Sequence, residues 1–87
     1  MVTEVRTFLL SRVALPLEAV GLTPDSTPDD YDLLASGVID SFGIIELIGD
    51  LEDRFDVTLE FDEVQPEVVT VVGPLSQYVA GLVERRG

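Results

Sequence analysis

The chain has 87 residues, with seventeen Asp and Glu against five Arg and no Lys, a formal net charge of −12, and neither His nor Cys. That length allows one small domain with a single core, leaving little room for an active-site cleft. The charge argues against nucleic acid and anionic membranes, whose phosphates it repels, and the missing His and Cys remove conventional zinc sites, disulfides and thiolate nucleophiles.

At 46% hydrophobic residues the chain is expected to fold despite its acidity. A basic protein surface is the natural complement of such a charge, because electrostatics steers encounter. The start, MVTEVRTFLLSRV, does not read as a secretory signal: Glu4 lies in the charged region, and Ser11 and Arg12 interrupt the apolar run. No stretch approaches the ~20 apolar residues of a membrane span, so a cytoplasmic protein is expected.

In chain order, Val5, Phe8, Leu9 and Val13 recur at helical spacing and predict a helix over residues 3–15, with Thr3 as N-cap and Pro16 as its stop. Residues 16–30 then read as a long loop, with Leu17, Val20 and Leu22 laying its first half on the core. YDLLASG predicts one short helical turn ended by a left-handed Gly37. From Ser41 onward, Ile44, Ile48, Leu51 and Phe55 fall on one helical face, capped by Asp40 or Ser41 and closed by Asp56, Val57 and Thr58. LEFDEVQPEVV predicts a connector with one or two helical turns, interrupted by Pro66.

The last helix carries Leu75, Tyr78, Val79, Leu82 and Val83 on its apolar face and Arg85 and Arg86 at its negative end. Its start is expected at Gly73 as N-cap with Pro74 following, in preference to Thr70. VVTVV competes as a strand on propensity, but no second strand offers pairing. The expected fold is all-α: one domain over residues 1–87, a small four-helix bundle of three main helices plus one or two short ones, with a long first loop.

Ser41, in GVIDSFGIIELI, invites a hydrolase reading. The nucleophile elbow Gly-x-Ser-x-Gly has Gly43 in place but Ile39 in its first position, and the chain has no His or Lys to act as base. Asp25, Asp29, Asp30 and Asp32 crowd together, yet neither a start at Asp25 nor one at Asp30 gives the spacing of a calcium-binding loop. Paired acids for glycoside chemistry would need a cleft this chain is too small to build. What remains is a serine that is modified. It lies where a loop meets a helix N-terminus, the positive helix end tolerates a phosphodiester, and Glu46, Asp50, Glu52 and Asp53 follow within three turns.

Asp40-Ser41-Phe42, then Ile44-Ile45-Glu46-Leu47 and Leu51-Glu52-x-x-Phe55, resembles the acyl and peptidyl carrier proteins, whose signature is Asp-Ser-Leu at the start of the second helix. The resemblance extends over nearly the whole chain. It implies 4′-phosphopantetheine carried on Ser41, with Asp40 as its motif neighbour, and cargo held as a thioester on the terminal thiol. It also implies a partner face with Phe42, Ile45 and Gly49 as its apolar part and Glu46, Asp50, Glu52 and Asp53 around it. Phe42 departs from the usual leucine, and Gly49 from the usual methionine, valine or alanine. GVIDSFGIIEL and FDVTLEFDEVQPEVVTV are similar to freestanding carriers that work with adenylating ligases, and to D-alanyl carrier proteins, more than to housekeeping fatty-acid carriers.

The implied partners are a phosphopantetheinyl transferase, a loading ligase or acyltransferase, and downstream enzymes with basic patches that meet a monomeric carrier. The protein itself is expected to have no catalytic activity, and a specialised metabolite pathway is the expected setting. A fatty-acid carrier, an unmodified carrier-like adaptor and a small acidic metal-binding protein remain as alternatives. By helical spacing alone, Ile44, Ile48, Leu51 and Phe55 are core, and Asp40 is a helix cap.

Overall fold

A computed structural model describes residues 1–86, apart from the Phe61 side chain. Five α-helices run in order: α1 Val2–Arg12, α2 Ala14–Ala19, α3 Ser41–Phe55, α4 Pro66–Thr70 and α5 Val72–Arg86, with short 3-10 turns at Pro24–Ser26 and Phe61–Glu63. No strand occurs among the described residues; Val71 makes a single antiparallel bridge with Asp32. The expected all-α bundle of three main helices is observed, with two short helices, α2 and α4.

The helices form where apolar residues share a face and pack on one another. Val5, Leu9 and Leu10 of α1, Ile44, Leu47, Ile48, Leu51 and Phe55 of α3, and Val72, Leu75, Val79 and Ala80 of α5 are buried together, with Leu17, Leu33 and Leu59 closing the ends. The most extensive packing is between α1 and α5, and α3 contacts both. Each fully buried leucine contributes about 1.5–3 kcal/mol relative to exposure. The buried Ser76 donates to the Val72 carbonyl at 2.7 Å, so its hydroxyl costs the core little.

Several predicted boundaries are corrected. The first helix ends at Arg12, and its N-cap is Met1 with no side-chain cap, where Thr3 was expected. Pro16 does not stop a helix; it is the third residue of α2, where a helix N–H has no intrahelical partner to lose. The true stop is Gly21 at φ +83°: its N–H donates to Glu18 and that of Leu22 to Leu17, satisfying the last carbonyls of α2. The long loop therefore begins after α2, with Leu17 buried and Leu22 half-buried as expected but Val20 54% exposed.

Pro66 likewise opens α4 and does not interrupt it. The last helix starts at Val72, one residue before Gly73, and its first N–H groups are capped by loop backbone: Val72 N–H donates to Tyr31 at 3.1 Å and Gly73 N–H to Asp29 at 2.7 Å. A Cβ on Gly73 would lie 3.0 Å from both the Asp29 Cβ and its carbonyl oxygen, so this close approach requires glycine. The loop before α3 is thereby fastened to the start of α5.

Candidate functional site

The segment that presents Ser41 is built by local bonds. Asp32 Oδ1 accepts from the N–H groups of Leu34 at 3.0 Å and Ala35 at 2.9 Å, and its Oδ2 accepts from Thr70 Oγ1 at 3.3 Å. The expected helical turn before Gly37 is a turn outside any helix. It closes over residues 32–37 with Ser36 N–H on the Asp32 carbonyl, and Gly37 at φ +79° then redirects the chain. Asp40 caps α3: its backbone is extended, its Oδ1 accepts from Gly43 N–H at 2.8 Å, and its carbonyl accepts from Ile44 N–H at 3.0 Å.

Ser41 is the first residue of α3 and is exposed. Among the described residues, neither its hydroxyl nor the N–H groups of Ser41 and Phe42 have a hydrogen-bond partner. An anionic group esterified to this hydroxyl would meet free N–H donors and the positive end of a 15-residue helix. The chain has no His or Lys to act as a base for the serine.

Beyond Ser41, α3 shows two outward faces. Phe42 and Ile45 are 76% and 63% exposed, and Gly49 continues their stripe one turn on. A Cβ on Gly49 would meet nothing, so no close contact explains this glycine. Glu46 and Asp53 are exposed and have no hydrogen bond or ion pair among the described residues. Asp50 pairs with Arg12 Nε at 3.0 Å, and Glu52 accepts from Leu59 N–H at 2.9 Å, so these two acids are engaged within the fold. On the flank of α3 facing the α1–α2 junction lies a groove of about 200 Å³, lined by residues that include Arg12, Val13, Ile39, Gly43, Glu46, Leu47 and Asp50.

The loop acids do not converge on a metal. Asp29 pairs with Arg6 at 2.6 Å and Asp32 is committed to backbone N–H groups. No group of three His, Cys, Asp or Glu able to hold a metal ion is present among the described residues. Nor is any helix among them long and apolar enough to cross a membrane.

Two contributors escaped the sequence reading. Gly43 matters for packing: a Cβ there would lie 3.0 Å from the Ile39 Cβ, so glycine lets the incoming chain lie close against the first turn of α3. Arg12 reaches Asp50 across 38 residues, and nothing local announces that pair. That Asp40 or Ser41 caps α3 is legible in the sequence, and the structure selects Asp40, with Gly43 N–H as its partner.

The phosphopantetheine attachment site family matches residues 14–79, well over half of the chain. The D-alanyl carrier protein of Streptococcus suis (strain 98HAH33) is 53% identical over 34 residues, 39% of this chain and 43% of that protein. The D-alanyl carrier proteins of Streptococcus mutans and Streptococcus thermophilus (strain CNRZ 1066) are 50% identical over the same length and shares. The chain spans less than half the length of the curated relatives it matches. No solved structure matches it. The family match spans the capped α3 and the exposed Ser41 at its head: the chain belongs to the phosphopantetheine attachment site family, whose cofactor is a covalently bound 4′-phosphopantetheine.

Proposed function

We propose that Ser41 carries the 4′-phosphopantetheine arm and that the protein delivers acyl or aminoacyl groups between biosynthetic enzymes. The observation that carries this reading is an exposed, unpartnered serine hydroxyl at the first position of a long helix whose cap is supplied by the neighbouring Asp40. When attached, the arm supplies a terminal thiol that holds cargo as a thioester, which a chain without cysteine lacks. The residues here present the hydroxyl, offer N–H groups to the phosphodiester and bring no catalytic group of their own. Transfer chemistry belongs to the partners: a phosphopantetheinyl transferase, a loading ligase or acyltransferase, and the enzymes that consume the cargo.

Phe42, Ile45 and Gly49 form the apolar centre of the partner face, with Glu46 and Asp53 as its free acids and Asp50 and Glu52 at its margins. Such a face suits brief encounters with basic patches in the cytoplasm. A specialised metabolite pathway is the setting we favour. The similarity to D-alanyl carrier proteins over 34 residues favours an aminoacyl cargo within that reading. The test is thiol titration: incubation with coenzyme A and a phosphopantetheinyl transferase raises the count from zero to one per chain. A count that stays at zero sinks the proposal.

A further inference from the structure

The groove beside α3 has the chemistry of a receptacle for a long basic side chain. Its lining combines apolar residues, the buried Val13 and Leu47 and the half-buried Ile39, with two carboxylates, Glu46 and Asp50. That combination matches an arginine or lysine, whose methylene stem lies on apolar surface while its cation reaches the carboxylates. At about 200 Å³ the groove falls below the ~300–1,000 Å³ of small-molecule sites, which favours a single protein side chain as occupant. It is continuous with the proposed partner face, because Glu46 belongs to both.

One cation of the chain already stands there. Arg12 bonds Asp50 through Nε alone, at 3.0 Å, with both side chains partly exposed, at 52% and 37%. A single-point pair in that setting is weakly held and exchangeable. We propose that Arg12 is an internal stand-in for a basic residue of the partner enzyme: it holds Asp50 while the carrier is free and yields it when a partner's Arg or Lys enters the groove. This rests on the reading of α3 as the partner face. The arrangement keeps one docking acid neutralised until a competing cation arrives, so partners lacking a residue that reaches the groove gain nothing from Asp50.

The experiment measures kcat/KM for loading by a phosphopantetheinyl transferase with coenzyme A, on the full chain. Arg12→Gln is expected to raise it about two- to fivefold at low ionic strength, with the gain fading as salt screens the charges. Arg85→Gln makes the same change in net charge on α5, where Arg85 Nε bonds the Gly81 carbonyl of its own helix. Its effect is expected to be smaller. In an Asp50→Asn background the effect of Arg12→Gln is expected to shrink to that of Arg85→Gln. Arg12→Met, which keeps an apolar stem over the groove, is expected to reproduce the gain should the glutamine variant fold poorly. Equal effects of the Arg12 and Arg85 substitutions, or a gain that survives unchanged without Asp50, would overturn the proposal. Absence of any adduct on the unmodified chain would instead refute the carrier reading on which it stands.

Discussion

The serine, its cap and the stripe beside it divide the labour of the site between folding and contact. Asp40 holds Gly43 N–H and so fixes the first turn on which Ser41 stands. Asp40→Ala is expected to lower stability by about 0.5–2 kcal/mol, read as a shift in the urea midpoint with unchanged slope. Ile45 is the contrasting case, since it is 63% exposed and packs on little. Ile45→Ala is expected to leave stability within about 0.5 kcal/mol while lowering kcat/KM for loading, a split that separates a contact residue from a core residue. Asp40 as a possible cap and the core face of α3 are legible in the sequence because capping and helical spacing are local relations, whereas the stripe of Phe42, Ile45 and Gly49 is legible only through the resemblance to carrier proteins. Asp50 and Glu52 were legible only as acids on α3, since their partners, Arg12 and the Leu59 N–H, come from outside the helix.

Among the elements, α3 is legible almost to the residue, because four apolar positions on one face, a cap at Asp40 or Ser41 and a close at Asp56 agree with one another; the structure adds Leu47 to the buried face and puts Asp56 at φ 55°. The prolines misled at three helix ends. Pro16, Pro66 and Pro74 each sit within the first three residues of a helix, where their missing N–H costs nothing. A stop and a start look alike in a single sequence until the glycine that ends the helix, here Gly21, is recognised. The start of α5 was illegible for another reason, since its cap is the backbone of Asp29 and Tyr31, some forty residues earlier. Two glycines test this scale in opposite directions. Gly73→Ala is expected to destabilise by about 1–3 kcal/mol, because its methyl meets the Asp29 backbone. Gly49→Ala, facing open space in mid-helix, is expected to stabilise by about 0.5–1 kcal/mol. Thermal melts of the two variants give opposite signs if both environments are right.

The molecule as a whole is a strongly acidic bundle whose acids are spread along the chain, with Glu46 and Asp53 unpaired among the described residues on the helix that starts at Ser41. Of its five arginines, Arg6, Arg12 and Arg86 pair with carboxylates and Arg54 lies over the rings of Phe8 and Phe55. A field of net charge −12 steers a basic partner toward the carrier, so the loading rate is expected to fall as ionic strength rises, with kcat changing less than kcat/KM. The acidity and its pull on basic partners follow from composition alone, whereas the groove needs α1, α2 and α3 brought together and has no signature in the chain order. The central claim is that Ser41 bears the arm. Intact-mass spectrometry of the chain and of Ser41→Ala, each incubated with coenzyme A and a phosphopantetheinyl transferase, tests it most directly: a single gain of about 340 Da is predicted for the chain and none for the variant. An adduct on Ser41→Ala, or none on the unmodified chain, would contradict it.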